Sequence, residues 1–185
     1  MSSPGDIARG LASRSLAAGD PTGWFERLYS AAGTGDTVVP WHQDGPDPML
    51  VTWAGDRTGA GRTAIVVGCG LGDDAEFVAG LGYDTVAFDV APSAVEQARQ
   101  RFPKSTVDYR AADLLALPVE WRRAFDLVVE NFTVQSLPES VREKATAAVA
   151  GLVAPGGTLI VHASVCREGA APRSGPPRPL GRAEV

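Results

Sequence analysis

The chain has 185 residues, 44% of them hydrophobic, and a formal net charge of −5. That length suits one domain with one sizeable core, and the acidic balance argues against a nucleic-acid protein, which carries a basic stripe. No apolar run approaches the ~18 residues of a membrane span, the N-terminus has no apolar signal region, and Cys69 and Cys166 form neither a disulfide framework nor a zinc pattern. A chain in the reducing cytoplasm is expected.

Residues 1–20 are small and polar and read as a loose helix or a disordered arm. "DPTGWFERLYSAAG" reads as a helix capped by Asp20, with Pro21 at its first position and Gly33 as its stop. Together, residues 1–35 form an N-terminal helical arm. Residues 36–62, "DTVVPWHQDGPDPMLVTWAGDRTGAGR", read as a Pro-rich connector or lid with aromatic anchors.

Residue 63 starts a regular alternation. "AIVV" is a buried strand, "DAEFVAGLG" a helix stopped by Gly82, and "TVAFDV" a second strand. "PSAVEQARQRF" is a helix started by Pro92. "STVDYRAAD" contains a third strand and "AFDLVVEN" is a fourth. "PESVREKATAAVAGL" is a helix with Val141, Ala145, Ala148, Val149 and Leu152 on one face, and "APGGTLIVHAS" is a tight turn and a fifth strand. The expected fold is α/β: a doubly wound, mainly parallel Rossmann-like sheet of about five strands over residues 63–166. The Pro/Gly/Arg-rich tail, 167–185, reads as extended or disordered.

Such sheets bind ligands beyond the carboxyl ends of their strands, here near Gly68, Asp89, Asp113 and Glu130. The first loop, "GCGLGDD", is not a dinucleotide fingerprint, because Asp73 stands where the last glycine should be. Asp73 and Asp74 at a helix start would repel a phosphate, and this makes a nicotinamide-dependent reductase the weaker reading. S-adenosylmethionine carries a sulfonium and an amino group and no phosphate. Gly68 and Gly70 would let backbone approach its amino-acid end, and Asp89 would accept both ribose hydroxyls. Asp113 would accept from the adenine amino group, beside the Leu114 N–H. Cys69, Val90 and Glu130 border the same loops. The plainer readings are a small packing residue for Cys69, a capping box for Asp73 with Glu76, and a structural hydrogen bond for Glu130. His42 and His162 are isolated, and no metal role is expected of them.

"VVGCGLG", "VAFDVAPSAVEQAR", "AADLLAL", "FDLVVEN" and "LVAPGGTLIV" together resemble the motifs of class I S-adenosylmethionine-dependent methyltransferases, over about residues 36–185. Within them the chain is similar to the thiopurine, thiol and halide methyltransferase group, through Trp24, "VPWHQDGPDPML", "REGAAP" and "SGPPRPL". The resemblance implies methyl transfer to a small-molecule acceptor, a thiol or halide, and cofactor contacts at Trp24, Trp41, Gly68, Asp89, Asp113 and Asn131. A soft nucleophile needs no general base, so no catalytic residue is named. The family core goes on to a further helix and an antiparallel hairpin, for which the tail lacks the pattern. The expectation is therefore a shortened sheet with an open fifth strand, an edge for homodimers, and as an alternative function a cofactor-binding fragment without turnover.

Overall fold

The structure is a computed structural model, and it describes residues 3–165 and 176–180. Five short apolar stretches form strands: β1 (Thr63–Val67), β2 (Asp84–Asp89), β3 (Asp108–Ala111), β4 (Phe125–Asn131) and β5 (Val153–His162). All neighbours pair in parallel, in the order β3-β2-β1-β4-β5. The chain therefore runs outward from β1 in one direction and restarts beside β1 with β4. The crevice between β1 and β4 is the switch point where doubly wound sheets bind ligands.

The period-two alternation of the strands builds two cores. Ala64, Val66, Ala87, Leu127 and Val129 face α3 (Pro48–Ala54), α4 (Asp73–Gly80) and α5 (Pro92–Arg101). Ile65, Val67, Phe88 and Val128 face α6 (Glu139–Leu152) through Ala145, Val149 and Leu152. Both faces of the central strands are covered, which is why they read as unbroken apolar runs. Within β5 the register jumps from Phe125↔Val153 to Leu127↔Thr158. Four residues bulge out there, with Gly156 at φ +79, and this bulge is the predicted turn. β5 is an outer strand, and Leu159 and Val161 on it are exposed.

The N-terminal arm takes the helical one of its two sequence readings and is more regular than a loose helix. Residues Pro4–Ala17 form a regular helix, α1, closed by a Ser3–Asp6 capping box. α2 (Gly23–Gly33) starts later than Asp20 and Pro21 suggest. Asp20 does act at this start, because its carboxylate accepts from the Thr22 and Gly23 N–H groups. α3 was hidden in the connector, although Asp47 caps it through Met49 N and Leu50 N and Pro48 opens it. The Asp73–Glu76 capping box does not form. Gly72 is the N-cap at φ +95, and Glu76 instead accepts from Tyr109 and Ser105. The described part of the tail is docked rather than loose. Leu180 is buried, pairs with Val165 and donates its N–H to Ser164 O at 2.8 Å. "REGAAP", Cys166 and most of the tail lie outside the described residues.

Candidate functional site

A cavity of about 330 Å³ opens at the carboxyl ends of the strands. Its floor is the loop from β1 to α4. Gly68 and Gly70 sit at φ +61 and +51, where side chains are strained. A Cβ on Gly68 would fall 2.4 Å from Thr133 Oγ1, and one on Gly70 would fall 2.8 Å from Tyr29 Oη. The backbone is therefore presented bare to the cavity. Cys69 between them is buried, and burial pushes its thiol well above the ordinary range, which suits packing rather than nucleophilic attack.

Asp89 ends β2 and is only 6% exposed. Its Oδ2 accepts from Gly70 N at 3.0 Å and its Oδ1 from Ala91 N at 2.9 Å. These bonds fix the carboxylate against the glycine loop and leave further lone pairs on both oxygens. Burial raises its pKa to about 6, against the backbone donors that lower it. Asp113, after β3, caps a single 3-10 turn by accepting from Leu115 N at 2.8 Å. Val90, Asp113 and the buried Leu114 line the same wall.

On the other side, Asn131 ends β4 and donates through Nδ2 to Asp74 Oδ2 at 3.1 Å, while its Oδ1 is buried with no partner. Asp74 also accepts from Asp47 N at 2.7 Å, and burial raises its pKa. Asp73 forms a two-pronged ion pair with Arg101 at 2.6 and 3.0 Å and accepts from Gly45 N. The two acids at the start of α4 therefore hold the segment through Gly45–Asp47 across the cavity mouth. Arg101 compensates Asp73, so only part of the negative field expected from the sequence remains.

Trp41 lines the cavity at 40% exposure and donates from Nε1 to Tyr29 Oη at 3.3 Å. Two predicted residues lie elsewhere. Trp24 is 1% exposed, stacked on Phe25 at 3.9 Å and packed with Ala8, Ala12 and Leu28 between α1 and α2. One residue along the helix, Phe25 lines the cavity instead. Glu130 is 2% exposed, and its Oε1 accepts from Thr133 N at 2.6 Å and Val134 N at 2.9 Å, which fixes the turn after β4. It borders a smaller neighbouring cavity, not the main one. Sequence reasoning missed Tyr29, whose buried hydroxyl sits over Gly70. It also missed Pro177, which the docked tail brings to the cavity wall. The spacing of "WFERLY" contained the signal for Tyr29, because residues four apart share a helix face.

Residues 64–157 match the family model described as a methyltransferase domain. The chain belongs to this family. This is the class I S-adenosylmethionine-dependent methyltransferase family, and S-adenosylmethionine is the cofactor of that class. The chain is 32% identical over 131 residues to a ubiquinone biosynthesis O-methyltransferase of Xanthomonas campestris pv. campestris. The match takes in 65% of this chain and 54% of that protein, so the chain spans about half the length of the curated relatives it matches. Among solved structures, one reported for the conversion of a disulfide bond into a thioacetal group during echinomycin biosynthesis superposes with a TM-score of 0.65. It is 24% identical over 76% of this chain and 61% of its own. A TehB-like methyltransferase from Corynebacterium glutamicum gives a TM-score of 0.53 at 22% identity, with 75% and 70% covered. These likenesses establish the fold.

Trp41 provides an optical check on the cavity mouth. Cofactor binding is expected to shift or quench its emission, because the indole is half-exposed and edge-on to Trp24 and Tyr29. Subtracting the spectrum of Trp41→Phe isolates the signal. Tight binding with no Trp41 component would mean that the segment does not close over the ligand.

Proposed function

We propose that the chain binds S-adenosylmethionine in the larger cavity and transfers its methyl group to a small nucleophile, with a thiol as first candidate and a halide as a simpler one. The observation that carries the reading is Asp89. It is a buried carboxylate pinned by Gly70 N–H at the end of β2, facing a cavity floored by bare backbone. Two vicinal hydroxyls are the groups a fixed carboxylate accepts from best. In this reading Gly68 and Gly70 take the amino-acid end of the cofactor, and Asp113 and Leu114 take the adenine. Asn131 faces the reacting end, and Trp41 covers the cavity. Trp24 and Glu130 act behind them, as backing for Phe25 and as a clamp on the turn after β4.

When bound, the cofactor supplies a methyl group already activated on a sulfonium. The protein then has to hold donor and acceptor in line and keep water out. At 330 Å³ the cavity lies at the small end of the ~300–1,000 Å³ range for ligand sites, so an acceptor that shares it with the cofactor is small. An oxygen acceptor is the second reading, favoured by the O-methyltransferase relatives. Calorimetry with S-adenosylmethionine and with NAD tests the first half of the proposal, and binding of NAD alone would overturn it. Methyl transfer to a panel of thiols and phenols tests the second half. Binding without any turnover would leave a cofactor-binding protein.

A further inference from the structure

His162 ends β5 and stands beside Asn131 of β4 in the sheet register, at the ligand-binding end of the sheet. Its Nδ1 lies 3.0 Å from Asp47 Oδ2. The other oxygen of Asp47 accepts from Met49 N and Leu50 N, so the carboxylate is held on both sides. A carboxylate can only accept, so Nδ1 carries the hydrogen and Nε2 carries the free lone pair. Nε2 has no hydrogen-bond partner among the described residues. The imidazole packs on Phe132 with ring centres 4.4 Å apart, and Phe132 lines the main cavity. His162 itself borders the smaller cavity of about 150 Å³, which shares Asp47, Asp74 and Asn131 with the main one. The ionisable groups around it are Asp47, Asp74 and Glu130, all acidic.

The residues assigned to the cofactor, Gly68, Asp89 and Asp113, lie at the carboxyl ends of β1, β2 and β3. The dyad lies across the switch point, on the β4–β5 side, which leaves that side for the acceptor. We propose, on the functional reading above, that Asp47 and His162 form the base that deprotonates a hydroxyl or thiol acceptor. Nε2 takes the acceptor's proton as its oxygen or sulfur attacks the methyl carbon. The carbon–sulfur bond of the sulfonium breaks and its electron pair stays on sulfur. The products are S-adenosylhomocysteine, a methyl ether or thioether, and a proton on Nε2 that passes to water. Asp47 orients the ring and carries the countercharge.

A base matters most for acceptors that are not already ionised. The test compares a thiophenol, an alkanethiol and a phenol as acceptors for the wild-type chain, His162→Gln and Asp47→Asn. Turnover of the phenol is expected to fall about 10²–10⁴-fold in His162→Gln, the usual contribution of general-base catalysis. Turnover of the thiophenol, ionised at the assay pH, is expected to change little. In His162→Gln, S-adenosylmethionine affinity by calorimetry is expected to stay within about twofold, because His162 lines the smaller cavity and not the main one. An equal loss on all three acceptors would show a merely structural role and overturn the proposal. The imidazole ¹⁵N resonances provide a readout without turnover. Adding each acceptor to the protein saturated with S-adenosylhomocysteine is expected to move the Nε2 signal, and no movement with any of the three would also overturn the proposal. A wild-type chain that does not bind S-adenosylmethionine would instead sink the functional reading, and the dyad's role with it.

Discussion

Replacing Asp89 with alanine is expected to weaken S-adenosylmethionine binding by about 1.5–3 kcal/mol, roughly 10- to 150-fold, the range for hydrogen bonds to a charged group. The same residue sets a pH dependence whose two parts run in opposite directions. Its pKa in the folded chain is about 6 against an ordinary 3.8, and burial is the main cause. A raised folded value means that its stability contribution is complete below about 4 and is lost as pH rises through 6. Ionising it at neutral pH therefore costs the ligand-free protein on the order of 3 kcal/mol. Hydroxyl donors favour the ionised form, so cofactor affinity is expected to rise over the same window. Asp74 and Glu130 are also pushed up by burial and add slopes of the same sign to stability. The comparison of wild type with Asp89→Ala at pH 5 and 7.5, by calorimetry and thermal melting, isolates the part due to Asp89. A folded variant that binds as tightly as wild type would remove Asp89 from the site.

The sheet was legible because its strands are short runs of β-branched residues ended by glycine or acid, and because both faces are buried. The floor of the site was legible for the same reason: a glycine knot after a strand and an acid at the end of the next strand are local patterns. Long-range pairings were not legible. Asp47 and His162 lie 115 residues apart and meet only because β5 returns beside β4 and α3 caps the same end. Arg101 reaches Asp73 across 28 residues and compensates a charge that the sequence alone presents as bare. α1 was legible only as one of two alternatives, a loose helix or a disordered arm, because its buried positions, Ala8, Ala12 and Ser15, are too small to mark an apolar stripe. Only the Ser3–Asp6 pair and Pro4 carried its signal.

Trp24 and Phe25 show the limit within a single dipeptide. Successive helix positions point about 100° apart, so one of two adjacent aromatics enters the arm's core while the other faces the cavity, and composition does not say which. Trp24 holds the arm together: it is 1% exposed, touches Ala8, Ala12 and Leu28, stacks on Phe25 and meets the edge of Trp41 at 5.9 Å. Trp24→Ala is expected to cost about 3–5 kcal/mol, as a buried tryptophan truncation does. For a chain of this length that lowers the melting temperature by about 6–20 °C. α1 should detach first, because its core is little more than this ring and a few alanines, so amide exchange should rise in residues 4–17 before it rises in the sheet. Cofactor affinity measured well below the melting temperature should fall only as far as Phe25 and Trp41 lose their backing. Phe25→Ala should do the reverse, with a larger loss of affinity and a smaller loss of stability. If Trp24→Ala kept its melting temperature and lost the cofactor, the indole would have to reach the ligand directly, and α2 would have to rotate by about one residue on binding.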